Sequence, residues 1–292
     1  MTEPLDTDHL RTWIGKSQSE TDLVTAAPLR MMRATLDLAD VPSTTVPPLW
    51  HWLYFLPSPR QSQLGDDGHA KRGGFLPPVP LPRRMWAAGQ FEFFHELALG
   101  EVITRTSTID DVTTKTGRTG SLCFVRVRHE ISNQTGLALR EFHDIVYRPL
   151  AASDAKAPSY EISPPSHASE VVLPTDPLLF RYSALTFNGH RIHYDRKYVT
   201  SVEGYPGLIV HGPLMATLLA GFGQRVVPNH PVEHFEFKAL KPVFDLHPFE
   251  LCADHPAVSA NGTPSLNLWI KDFEGHITMK AVMHLGPNKV RA

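Results

Sequence analysis

The sequence predicts an α+β protein built twice from one plan, an antiparallel sheet curled around an apolar helix. Three observations carry this. Apolar and polar residues alternate through residues 85–148 and again through 233–285; a helix-length segment at 211–226 has hardly any polar face; and strands and turns follow in the same order in both stretches. With 292 residues, 42% of them hydrophobic, the chain can fill the core of such a pair.

The first helical signal lies at 27–38, where Pro28 suits a first turn and Leu29, Met32 and Leu36 recur at spacings of three and four. Residues 41–84 are crowded with proline, glycine and aromatics (PPLWHWLYFLP, then RGGFLPPVPLPRR), which resist both helix and ladder. They read as a long ordered excursion. In CFVRVRHEIS the residues Val125, Val127, His129 and Ile131 share one face, and Arg126, Arg128 and Glu130 share the other. Turn signals at 115–120 and 133–136 divide 85–148 into four strands.

The Ala-, Ser- and Pro-rich stretch 151–177 reads as a linker between an N-terminal repeat, 1–150, and a C-terminal repeat, 178–292. The helix at 211–226 precedes strands near 233–243, 248–255, 265–273 and 276–285, with turns at Asn261-Gly262 and Glu274-Gly275. Phe91-Glu92-Phe93 and Phe235-Glu236-Phe237 open the two strand sets alike. Leu214, Met215, Leu218, Leu219 and Phe222 point in several directions, so this helix must be enclosed. A sheet wrapped around such a helix is the hot-dog arrangement, and two in one chain make a double hot dog.

A net charge of −2 and a pI near 6.8 leave no global field for nucleic acid or an anionic membrane, and a single RGG at 72–74 does not change that. MTEPLDTDHL lacks the basic start and apolar run of a signal peptide, and residues 207–222 are too interrupted for a span. A cytoplasmic protein is expected, with Cys123 and Cys252 as reduced core thiols.

In RYSALTFNGHRIHYD the acid–base groups His190, His193 and Asp195 fall close to the amide of Asn188. Downstream, YPGLIVHGPL ends in His211-Gly212-Pro213, which opens the apolar helix and directs backbone N–H groups and the positive end of a helix dipole at the chain entry. A carbonyl oxygen gaining negative charge fits there.

FNGHRIHYD followed by EGYPGLIVHGPL resembles the MaoC-like enoyl thioester hydratases, and more closely the hydroxyacyl-thioester dehydratase branch that includes itaconyl-CoA and mesaconyl-C4-CoA hydratases. PPLWHWLYFLP and the strands after Met85 are similar to that branch as well. The resemblance implies an acyl-CoA hydro-lyase with an acidic residue and a histidine five apart on a loop over the helix. Here Asn188 holds the acidic place and His193 the other, and an amide takes up no proton at neutral pH. The expected roles are His193 as base, Asn188 orienting water and Gly212 N–H holding the thioester oxygen. The proton donor to the α carbon stays open among His193 itself, Tyr194 and Asp195.

His190, Arg191, Tyr194, Asp195, Tyr205, Gly207 and His211 are the expected substrate-contacting set, with Arg191 suited to a carboxylate or phosphate. Each also has an ordinary reading: Asp195 as a helix cap, Tyr205-Pro206-Gly207 as a turn, Gly212 as tight helix entry, Arg191 and Arg181 as solvated charges. His190-x-x-His193 could be half a metal site, but no third ligand lies in register, so neither metal nor organic cofactor is expected. His129 and His276 read as surface or satisfied core residues. The degenerate first repeat is expected to accommodate the acyl group, giving one site per chain, and edge pairing suggests a homodimer. The leading substrate is itaconyl-CoA or mesaconyl-C4-CoA, hydrated to citramalyl-CoA; the rivals are a general (R)-3-hydroxyacyl-thioester dehydratase, a thioesterase and a non-catalytic thioester-binding module.

Overall fold

The computed structural model describes residues 5–39, 41, 44–71, 73–117, 120–149, 159–258 and 263–288. Arg72, the middle of the 115–120 turn, part of the 151–177 segment and the Asn261-Gly262 turn lie outside the described residues. The first half runs through α1 (Thr7–Arg11), β1 (Ser17–Leu23), α2 (Ala26–Thr35), β2 (Arg83–Phe93), β3 (Val102–Gly117), β4 (Gly120–Asn133) and β5 (Gly136–Arg148). The second half follows with β6 (Ala168–Val172), α3 (Asp176–Leu185), α4 (Arg196–Ser201), α5 (Gly212–Val226), β7 (Val232–Ala239), β8 (Phe249–Ala253), β9 (Ala257–Val258), β10 (Pro264–Lys271) and β11 (Ile277–Leu285).

The strands form one antiparallel sheet in the order β1-β3-β4-β5-β2-β7-β11-β10-β8-β6, with β9 on β10. Matching β1 to β6, β2 to β7, β3 to β8, β4 to β10 and β5 to β11 makes this order read the same from either edge. A duplicated unit joined through one edge produces that symmetry. The joint is β2 on β7, where Phe91 stands directly opposite its repeat counterpart Phe235. The double hot-dog class is therefore present, with the two expected sheets fused into one.

Among the described residues only the second half of the sheet wraps a full central helix. Leu214, Met215, Leu219 and Phe222 of α5 are buried, and Gly223 brings the helix so close that a Cβ there would lie 2.9 Å from Met283. Among the described residues of the first half the expected central helix is absent. The helix at 26–35 is the counterpart of α3, and the two pack on each other. The place on the sheet is filled by a 3-10 turn, Trp50–Leu53, with Leu49, Tyr54 and Phe55; Leu49, Trp50, Leu53, Tyr54 and Phe55 are buried in the same core as α5, and Trp52 is half-buried against it. Pro47, Pro48 and Pro57 bracket this turn and forbid a longer helix.

Two edge strands were not foreseen. β1 (SQSETDL) is exposed along nearly its whole length and shows no apolar face, and β6 falls inside the stretch read as linker. Elsewhere the two-residue period holds: Cys123, Val125, Val127 and Ile131 are buried, while Arg126 pairs with Asp144 at 2.7 Å across the outer face. Cys123 and Cys252 are buried free thiols. Among the described residues no helix is long and apolar enough to cross a membrane.

Candidate active site

The loop between α3 and α4 is pinned to the entrance of α5 by backbone exchange. Ile209 N–H donates to Ile192 O at 3.0 Å, and Val210 N–H donates to Val243 O at 2.9 Å, so the 208–210 segment is strapped between the loop and the β7–β8 connection. The next residue, His211, caps α5. The helix begins Gly212-Pro213, so only the Gly212 and Leu214 N–H groups remain before the first intrahelical bond, Met215 N–H to His211 O. A Cβ placed on Gly212 meets nothing within 4 Å, which leaves room at the positive end of the helix.

His193 is buried, 8% exposed, and its Nδ1 lies 2.7 Å from Ile209 O. A carbonyl only accepts, so Nδ1 carries the hydrogen and Nε2 presents a lone pair. Burial pushes its pKa down to about 4, against the opposing effect of the Ile209 bond. The ring stacks on His211 with centroids 3.7 Å apart. His211 is fully buried, its Nε2 is 2.7 Å from Ser183 Oγ, and burial holds it well below the usual histidine range. On the other side His190 meets His193 edge-on at 5.4 Å and lies 4.0 Å from His69. Burial, with His69 and His193 nearby, pushes His190 down to about 2. Four imidazoles thus stand in a row, His69, His190, His193 and His211.

His69 comes from the proline-rich excursion, which closes over the loop. Arg191 N–H donates to Asp67 O at 2.9 Å, and Gly68, at φ +86°, passes so close that a Cβ would sit 1.9 Å from Gly189 O. The His69 Nδ1 is 3.1 Å from Asp67 Oδ2. That hydrogen bond holds the Asp67 carboxyl well below the usual carboxylate range.

Several residues expected to meet substrate are otherwise engaged. Arg191 pairs with Asp195 at 2.7 Å, donates to Asp66 O at 2.9 Å and lies over the Tyr198 ring, so its guanidinium braces the loop. Asp195 accepts Tyr198 N–H at 2.9 Å as the α4 cap. Tyr194 is exposed and donates to Gly189 O. The Tyr205 ring is covered by Arg83 and meets Phe244, and a Cβ on Gly207 would come within 2.6 Å of Asp245. Those two residues shape the turn before α5. The Asn188 side-chain oxygen accepts His190 N–H at 3.0 Å, which leaves its NH2 group to act as a donor.

Sequence patterns did not reveal Asp67, His69 or Ser183, since the contacts that bring them to the loop, with Arg191, His190 and His211, lie far along the chain. Nor did they reveal a second buried polar group on the inner face of the first sheet. There Glu141 accepts from His51 Nε2 at 2.9 Å and Trp52 Nε1 at 3.0 Å, and His143 Nε2 is 3.3 Å away. His129, expected to be an unremarkable strand residue, joins this group through His143 and bonds Ser107 at 2.6 Å. Burial pushes His129 down to about 3. Donor atoms also converge in Asp67–His69–His190, His129–Glu141–His143 and Asp272–Glu274–His276, and all three groups contain imidazoles paired with their own carboxylates.

Neutral buried histidines set the response to acid. His129, His190 and His193, at about 3, 2 and 4, take up a proton on unfolding once the pH falls below the ordinary value of 6.5. The unfolded chain then binds more protons, so stability rises with pH across this window and falls on acidification, by up to about 1.4 kcal/mol per pH unit for each histidine. Urea midpoints measured at about pH 7, 6 and 5 should drop with steepening slope. A midpoint that stays level to pH 5 would contradict the buried neutral state.

A cavity of about 590 Å³ at the joint of the halves, lined by His51, Phe93 and Gln224, lies toward the C-terminal end of α5 and away from His193.

A family model for hydroxyacyl-thioester dehydratase type 2 matches residues 49–245, spanning both the excursion with His69 and the loop between α3 and α4. The chain belongs to this family of hydro-lyases. It is 43% identical over 279 residues to the mesaconyl-C(4)-CoA hydratase of Chloroflexus aurantiacus, covering 94% of this chain and 97% of that one. It is 30% identical over 287 residues to the mitochondrial hydroxyacyl-thioester dehydratase type 2 of Schizosaccharomyces pombe, covering 86% and 92%. The crystal structure of a MaoC-like dehydratase from Phytophthora capsici shares the fold, with a TM-score of 0.67 at 11% identity over 97% of this chain and all of that one.

Proposed function

We propose that the protein hydrates a short, unsaturated, dicarboxylic acyl-CoA, with mesaconyl-C4-CoA giving citramalyl-CoA as the leading reaction. The carrying observation is a neutral His193 with Nε2 free, stacked on the residue that caps α5, in a chain 43% identical to a hydratase of that substrate. Water attacks the β carbon as Nε2 takes its proton, Asn188 NH2 orients the water, and the Gly212 N–H receives the charge that develops on the thioester oxygen. The reaction moves only water and protons, so no metal or organic cofactor is invoked.

In mesaconyl-C4-CoA the β carbon also carries the carboxylate, so its counter-charge must lie close to the base. Arg191 is engaged elsewhere, and we assign this role to Arg84. Arg84 lies two residues before Trp86 on β2, opposite the buried Tyr147, and its charge reaches His190. Among the described residues it has no ion-pair partner. Replacing Arg84 with glutamine should lower kcat/KM for mesaconyl-C4-CoA about 10- to 100-fold, the worth of a hydrogen bond to a charged group, and leave turnover of crotonyl-CoA unchanged.

The yeast relative favours a second reading, a general 3-hydroxyacyl-thioester dehydratase. Loss of enoyl-thioester absorbance across mesaconyl-C4-CoA, crotonyl-CoA and longer trans-2-enoyl-CoAs separates the two. Preference for the uncharged chains would overturn the dicarboxylic assignment.

A further inference from the structure

His211 cannot meet a reactant. It is fully buried behind His193, and Tyr182 closes it in edge-on at 5.0 Å. Nor does its side chain serve the helix it caps, since it makes no hydrogen bond to the first turn of α5. Its Nε2 is 2.7 Å from Ser183 Oγ, and its Nδ1 is buried with no hydrogen-bond partner. Whichever tautomer the Ser183 bond selects, one polar atom of the ring stays unsatisfied, a cost that an apolar ring of similar size avoids. A residue kept against the base of the site at that cost calls for a reason other than folding.

Ser183 stands on the last turn of α3 and holds the site at two points. Its hydroxyl meets His211, and its carbonyl accepts the Asn188 N–H at 2.8 Å. One buried residue thus fixes both the turn that carries Asn188 and the ring behind the base. The His211 ring lies 17° from the plane of His193 with centroids 3.7 Å apart. His193 itself is held at one edge, by Nδ1 on Ile209 O at 2.7 Å. A single edge bond leaves a ring free to turn about it. The flat neighbour removes that freedom and aims Nε2.

The same face acts on charge. In the hydration proposed above, His193 gains the proton of water and becomes an imidazolium in a buried place. A neutral aromatic ring lying flat against a cation stabilises it through its electron-rich face, most of all where water is excluded. That ring must stay neutral, because a second charge 3.7 Å away would repel the first. His211 is buried more deeply than His193, which holds it well below the usual histidine range, and it sits at the positive end of α5, which disfavours a charge there as well.

We infer that Ser183 and His211 are positioning residues for the base: Ser183 locks the His211 ring, and that ring holds His193 in plane and shelters the positive charge His193 gains. The inference rests on the hydratase reading above. Neither side chain exchanges a proton with substrate. The proton of water goes to His193 Nε2 as the C–O bond forms, and the help from His211 is larger in the transition state than in the resting enzyme, so it shows in kcat. The titratable and charged groups around the stacked pair include His190, edge-on to His193 at 5.4 Å, His69 of the excursion beyond it, Arg84 of β2, whose charge reaches His190, and Tyr182 of α3 against His211. All of these stay in place in the variants that test the inference.

The test uses His211→Leu, His211→Phe and Ser183→Ala in the full-length enzyme, assayed with mesaconyl-C4-CoA and crotonyl-CoA. His211→Leu keeps an apolar side chain of similar bulk but no ring face. It should lower kcat about 10- to 30-fold with KM within a few-fold, and move the acid limb of kcat/KM down by about half to one pH unit, the worth of one desolvated cation–ring contact. His211→Phe restores a face without the Ser183 bond, and should recover most of the limb and part of kcat. It also removes the unsatisfied nitrogen, and Ser183 can turn its hydroxyl to a carbonyl of its own helix, so its melting temperature should stay within a few degrees of the wild type's. Ser183→Ala leaves the ring in place but untethered, and should lower kcat about 3- to 10-fold, the worth of one hydrogen bond. A purely structural role would instead make kcat follow melting temperature across the three variants, and that result overturns the inference. So does a folded His211→Leu enzyme with wild-type kcat and an unmoved limb, or a His211→Phe enzyme no better than His211→Leu. If His211→Leu does not fold, a Ser183→Ala enzyme with wild-type kcat overturns it equally. A wild type inert toward every unsaturated acyl-CoA overturns the hydratase reading and this one with it, whereas an active wild type with unaffected variants overturns this one alone.

Discussion

A His193→Gln enzyme should hydrate mesaconyl-C4-CoA about 10³-fold more slowly than the wild type, within the 10²- to 10⁴-fold range of a lost general base. Glutamine can still offer an N–H toward Ile209 O, so the strap between loop and helix entrance survives, and circular dichroism and the melting temperature should change little. KM should stay within a few-fold, because in the function proposed above the thioester rests on Gly212 N–H and its carboxylate on Arg84, and neither group is altered. In the wild type the acid limb of kcat/KM reports the free enzyme's base. With His193 pushed down to about 4, activity should persist well below pH 6.5 and fail as the pH drops through about 4, provided brief pH-jump assays outrun acid unfolding. A limb near 6.5 would mean a solvated histidine does the work. Near-normal turnover by the variant would remove His193 from the mechanism.

Most strands of both halves were legible because they have one wet and one dry face, and α5 because it has hardly any polar face. The edge strands β1 and β6 were not, since an edge of polar residues is held by backbone pairing alone and leaves no pattern in the side chains. The turn at Trp50–Leu53 was hidden for another reason. Its aromatics fill a helix's place on the sheet, and nothing in a proline-rich run says which surface it covers. At the site, His193 and the helix entrance could be read because they lie close together in sequence. Arg191 and Asp195 were harder: at a spacing of four, an arginine and an aspartate look the same whether they face a ligand or each other, and here they face each other. His69 carries no local signal, because its meaning comes from Gly68 touching Gly189 in the opposite half.

Removing the Glu141 carboxylate should cost more stability than any other single change on the inner face of the first sheet. Glu141 is 1% exposed, and burial alone would raise its pKa, but the charges and hydrogen bonds of His143 and His51 outweigh that and hold it well below the ordinary carboxylate value. It anchors the Trp50–Leu53 turn to β5 through His51 and Trp52, so it stands in for the packing a central helix would supply. Glu141→Ala leaves two imidazoles and an indole N–H without their acceptor in the core, and should lower unfolding free energy by about 3–5 kcal/mol, the usual cost of breaking a buried pair. Glu141→Gln keeps the volume and one acceptor oxygen and should cost less. The difference between wild type and Glu141→Gln has a definite sign with pH. A carboxylate whose folded value is depressed contributes fully above its unfolded value of about 4.5 and progressively less below it, so the two denaturation midpoints should differ most near neutrality and converge in acid. Equal midpoints at neutral pH would show that the cluster does not carry the first half of the fold.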